Sequence, residues 1–213
     1  MNRSIALLTA LCAAWLAAAC AREAEHHQPH SEDPEQHAHH VPQPADAVTP
    51  GASVYQLEGE LTDQHGARVR LDVFSGHPVV VVMFYGSCRS ACPRLVHDVQ
   101  RIEAQLPDAA REQLRVLLVT FDPERDTEER LAVYARELEL PAERWRLLRG
   151  DAAQARELAA VLGVRYRPIA NGEFSHTMLI SLLSAQGEIV QRIEGLGQPV
   201  EEFAAQVSAL ATR

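Results

Sequence analysis

Three short stretches, residues 79–85, 114–121 and 178–183, are almost unbroken runs of Val, Leu, Ile, Met and Phe. A run that apolar has no polar face to give to water, so each reads as a strand covered on both faces. The segments between them have a different period. Leu95, Val99, Ile102 and Leu106 recur at helical spacing, as do Leu131, Tyr134 and Leu138. The second of these helices opens with Asp126 three residues before Glu129, the spacing of a capping box. Further helices are expected over residues 152–162 and around Val200, Phe203, Val207 and Leu210, after Pro199. Residues 145–149 read as a short edge strand, and residues 188–193 pair back on the third run through a turn at Gly187. At the other end, Tyr55, Leu57 and Leu61, then Val69, Leu71 and Val73, alternate with polar residues around turn chemistry at residues 63–66, which predicts a hairpin. Strands alternating with helices, plus a hairpin near each end, define an α/β domain with a mixed sheet over residues 52–213.

Residues 1–51 read as lying outside that domain. Met1 to Arg3 is a short positive start, and residues 5–19 are apolar but shorter than the ~20 residues a membrane span needs, so the segment is expected to be a secretory signal over residues 1–20. Leu16-Ala17-Ala18-Ala19-Cys20 closes it and is similar to a bacterial lipoprotein signal, in which the cysteine is acylated. The expected location is therefore the bacterial cell envelope, facing the periplasm, with the membrane reached through a lipid on Cys20. Residues 21–51 are rich in His, Glu, Gln and Pro and poor in large apolar side chains, which predicts a disordered tether. Its six histidines either gather copper or zinc weakly or do nothing specific.

Charge narrows the function. All 20 basic residues are Arg, so P-loop and Schiff-base lysine chemistry are excluded. With 29 acidic residues, a net charge of -9 and no basic cluster, nucleic acid is not an expected partner.

Of the 4 cysteines, Cys12 lies within the signal and Cys20 at its end, which leaves Cys88 and Cys92 for chemistry. They stand where the first buried strand gives way to a helix. Pro93 suits the first helical position, with Cys92 as the N-cap and Cys88 in the loop before it. The helix terminus, Arg89 and Arg94 are expected to make both thiols acidic. Three roles are open: an inert buried pair, a redox dithiol, or a soft-metal site needing one more ligand to hold Cu(I). Asp122 ends the second buried run and falls on the same sheet edge as the cysteines; His176 falls there too if the third run is antiparallel. His65, His77 and His97 read as solvated surface residues.

Three motifs taken together, Phe84-Tyr85-Gly86-Ser87-Cys88-Arg89-Ser90-Ala91-Cys92-Pro93, Phe121-Asp122-Pro123-Glu124-Arg125-Asp126-Thr127 and Ser175-His176-Thr177, resemble the Sco/SenC proteins, copper-handling assembly factors of cytochrome c oxidase. The resemblance implies a thioredoxin-like fold with an added N-terminal hairpin, and an antiparallel strand after His176. It implies that Cys88, Cys92 and His176 bind copper, as Cu(I) or Cu(II), with Asp122 tuning the site or meeting a partner. The metal or an electron pair would pass to the copper-accepting oxidase subunit or another envelope copper protein. Many relatives carry Pro and Thr where this chain has Arg89 and Arg94, which alters the charge around the ligands. A thiol-disulfide oxidoreductase or thiol peroxidase using Cys88 and Cys92 without metal is the alternative.

Overall fold

The computed structural model describes residues 53–212. The expected signal with Cys12, the acylation site Cys20 and the histidine-rich tether lie outside the described residues. Among the described residues no helix is long and apolar enough to cross a membrane.

The three apolar runs form the centre of the sheet. β3 (Val79–Phe84) and β4 (Arg115–Thr120) pair in parallel, and β8 (Leu179–Leu183) runs antiparallel to β3 on its other side. Every residue of β3 and β8 is buried, as their composition requires. At roughly 1.5–3 kcal/mol per fully buried large apolar side chain, these strands are a main source of stability. β9 (Ile189–Glu194) pairs with β8 as expected. Gly187, at φ 82, makes their turn, and a Cβ there would lie 2.6 Å from Ser53 Oγ.

The N-terminal hairpin is shorter than its alternation implies. β1 (Leu61–Asp63) and β2 (Arg68–Val69) pair around the expected turn, but Val54–Gln56 and Leu71–Phe74 are 3-10 turns. Leu71 and Phe74 are the buried pair and Val73 is 62% exposed, so the spacing that matters there is three, not two. The hairpin also changes the place of β5 (Trp145–Arg149). The strand order is β2-β1-β5-β4-β3-β8-β9, so β5 is an interior strand, covered by β1 on the side where it was expected to be an edge.

Five helices complete the domain: α1 (Ala91–Gln105), α2 (Asp108–Gln113), α3 (Glu128–Glu137), α4 (Ala152–Leu162) and α5 (Glu201–Ala211). The short α2 has too few turns to show a period and was not expected. α3 is capped by Thr127, whose hydroxyl accepts from the Arg130 N–H, and not by Asp126. α1 is tied to the sheet by a buried acid, because Glu103 accepts from Trp145 Nε1 at 3.0 Å and from Arg144 Nε at 3.2 Å. Asp98 on the same helix accepts the Gly197 N–H at 2.7 Å. These contacts fix the helix that begins at the cysteines.

Candidate metal and redox centre

β3 delivers the chain to a loop at Tyr85, and α1 starts at Ala91. The helix therefore begins earlier than expected: Ser90 is the N-cap, Cys92 the second helical residue and Pro93 the third. Proline is still accommodated, since the first turn's N–H groups have no partner within the helix. The Ser90 side chain makes no capping bond. Instead, Cys88 Sγ accepts the Cys92 N–H at 3.3 Å, so a sulfur caps the helix.

The two thiols differ electrically. The Cys88 thiol is held well below its ordinary value, first by a hydrogen bond from the Cys92 thiol and then, against the cost of burial, by His176 and the amides of Cys92 and Ser90. Cys92 is pushed up by donating to Cys88 and by burial. The expectation of two acidic thiols is thus corrected to one thiolate hydrogen-bonded by one thiol. Hydrogen bonds dominate these shifts, while Arg89 and Arg94 are exposed. Both cysteines are buried and free of any disulfide.

His176 reaches them from a small two-stranded sheet that periodicity did not reveal, β6 (Tyr166–Pro168) with β7 (Phe174–His176). Its Nδ1 lies 3.1 Å from the Thr177 carbonyl oxygen, which can only accept, so Nδ1 carries a proton. Nε2 faces the sulfurs, 3.8 Å from Cys92 Sγ. The antiparallel direction of β8 puts His176, three residues before it, at the edge where β3 ends, as the resemblance implied.

Aromatic side chains surround the ring. Phe121 lies 5.0 Å and Tyr85 6.0 Å from it, centroid to centroid. Phe121 stacks on Tyr166 at 4.7 Å, and Phe174 meets both Tyr85 and Phe121 edge-on. No sequence period marks this wall, although Phe121 directly precedes Asp122 and so shares its sheet edge.

Asp122 is buried beside the site, but its carboxylate accepts from Arg125 Nε, and that guanidinium lies over Phe174 at 5.5 Å. Its path to His176 runs through Arg125 and β7. Asp126 is fully buried, and its Oδ2 accepts the Gly86 N–H at 2.9 Å and the Thr120 hydroxyl. A Cβ on Gly86 would stand 2.7 Å from Asp126 Oδ1, so a larger residue there would have to displace that carboxylate. His65 and His97 are exposed, whereas His77 is half-buried with Nδ1 3.0 Å from the Gln113 carbonyl oxygen, a structural contact in place of the solvated role expected.

The donor set suits a soft ion. A thiolate bond of about 2.3 Å and an imidazole bond of about 2.0 Å opened to about 120° span ~3.8 Å, the length of the observed Sγ···Nε2 separation. Among the described residues no three His, Cys, Asp or Glu side chains already form a closed ligand group. Small movements of the loop would have to complete one.

The sheet order and the dithiol at the first turn of α1 define a thioredoxin-like protein with a histidine added to the cysteine pair. The SCO1/SenC family model matches residues 49–212, and the chain belongs to that family. A curated Stutzerimonas stutzeri protein, whose name provisionally assigns it copper binding, is 28% identical over 134 residues, 61% of this chain. The chain spans 64% of that relative's length. The structure of Bradyrhizobium japonicum ScoI with copper bound matches at 25% identity and a TM-score of 0.58, over 71% of this chain and 96% of that one. Apo Sco1 from Thermus thermophilus matches at 26% identity and a TM-score of 0.59, over 74% and 95%.

Proposed function

We propose that this protein carries copper as cargo on Cys88, Cys92 and His176 and acts in assembling the copper centre of cytochrome c oxidase. It works from the periplasmic face of a membrane, anchored by acylated Cys20. The observation that carries this reading is the fixed imidazole, with Nδ1 committed to the Thr177 carbonyl oxygen and Nε2 aimed at Cys92 Sγ. Orienting a histidine through its second nitrogen is what a ligand requires, and a purely redox dithiol has no need of it. The copper named in the ScoI structure and in the S. stutzeri relative supports the choice of ion.

In the reduced chain, Cys88 offers a thiolate at once, while Cys92 must lose its proton as the metal enters. The test is a Cu(I) titration of the reduced protein against a competing chelator. His176→Ala and Cys88→Ser are expected to weaken binding at least tenfold, and wild-type affinity in both would end the three-ligand reading.

A second role is favoured by the split acidity of the thiols. The Cys88 thiolate attacks a target disulfide, releasing one target sulfur as thiolate, and Cys92, on losing its proton, displaces the other. The chain ends as a disulfide, two electrons and the Cys92 proton have passed to the target, and its second thiolate takes a proton from solvent. Such a step would ready the target's cysteines for copper, so the two roles are compatible. Turnover of a disulfide or peroxide that persists in strong copper chelator and in His176→Ala is the expected result if this chemistry runs without metal.

A further inference from the structure

An open cleft of about 580 Å³ lies beside the site, between the β6–β7 sheet and the end of β9. His176 forms part of its wall, next to Met178 and Tyr166. Arg165 and Arg167 line it as well, both exposed, and among the described residues neither is ion-paired. Glu194 is the carboxylate on its wall. Arg89 and Arg94, also exposed and outside every ion pair among the described residues, flank the cysteines. The cationic side chains around the site therefore stand out against a chain of net charge -9.

We propose that this cleft docks an acidic polypeptide segment of the partner that exchanges copper with the site, an inference that rests on the copper reading above. Exposed charges more than a Debye length apart, roughly 8 Å at physiological salt, are largely screened, so a partner at the cleft feels Arg165 and Arg167 before the molecule's net charge. The net charge of -9 disfavours an acidic chain at long range while these arginines attract it at the cleft, which sets orientation as well as encounter. Arginine forks pair with carboxylates through two parallel hydrogen bonds. Because a ligand of the site forms the cleft wall, whatever occupies the cleft is brought to the exchanging atom. A polypeptide fits this arrangement better than a lipid surface, since the cleft is concave and its wall includes Met178 and Tyr166 as well as the arginines.

The test uses two synthetic peptides with the same Met-rich core, one flanked by Glu and one by Gln, and reads their binding to the metal-free, reduced, full-length protein by fluorescence anisotropy. The Glu-flanked peptide is expected to bind about tenfold tighter at low salt. That preference should vanish at high salt and in the Arg165→Gln/Arg167→Gln double variant, which should bind Cu(I) as wild type does. Equal binding of the two peptides, or a preference that survives the double variant, would overturn the proposal. So would binding of the protein to anionic vesicles, lost in the double variant, without any peptide preference. Since the anisotropy is read without metal, a failure of copper binding in the separate titration counts against the copper reading and leaves the docking result standing.

Discussion

Cys88 and Cys92 are four residues apart yet differ in kind, because one accepts hydrogen bonds where the other donates. Alkylation with iodoacetamide should therefore modify Cys88 first and retain its rate at pH values where an ordinary thiol has lost it. Cys92→Ser, which replaces the thiol donor, should alter the pH profile of Cys88; identical profiles for both cysteines in wild type would refute the asymmetry. Asp126 makes a second prediction at this scale. Burial raises its carboxyl above the ordinary range. The native state then holds its proton at pH values where the unfolded chain, at about 3.9, has released it, so this group's stabilising contribution is full below that value. The contribution is lost as pH rises through the raised native value. The stability of wild type minus that of Asp126→Asn should fall across that window and then level, and a difference independent of pH would be the contrary result. The spacing of Asp126 to Glu129 resembled a cap, while its true partners, Gly86 and Thr120, lie on other segments and leave no local mark in the sequence.

The elements divide by how locally they are determined. β3, β4 and β8 were legible because burial on both faces writes an apolar run, and α1 and α4 because a full stripe needs several turns to repeat. β5 was recognised as a strand but not as an interior one, since its cover comes from the distant hairpin. The β6–β7 sheet was illegible. Tyr166–Pro168 is partly exposed and contains Arg and Pro, and its pairing with Phe174–His176 depends on packing against Phe121 and Tyr85. Thus the motif marks His176, while the element that holds it leaves no such mark. Phe121 is the residue on which that element leans. Phe121→Ala should cost about 3–5 kcal/mol of stability, as large-to-small changes at buried aromatics do. Phe121→Leu keeps most of the volume and should remain folded, yet bind copper more weakly because the His176 ring loses the aromatic ring tilted against it. Unchanged copper affinity in a folded Phe121→Leu would remove the aromatic wall from the account.

At the scale of the molecule, the mixed sheet brings two distant pieces of chain to one edge: the loop after β3 with its cysteines, and the β7 histidine that the antiparallel β8 obliges to start there. Sheet direction was the step that spacing could not supply, since Cys92 and His176 are 84 positions apart and meet only because β8 opposes β3. The hairpin on β5 lies at the other side of the sheet, away from β8, and so extends the fold without entering the site. In the proposed centre, thiolate sulfur and the His176 imidazole hold one copper ion together. The absorption spectrum of the Cu(II)-loaded protein tests this most directly. Strong sulfur-to-copper charge transfer is expected in wild type, abolished by Cys88→Ser or Cys92→Ser and shifted by His176→Ala; a spectrum without that band, or one indifferent to all three substitutions, would contradict it.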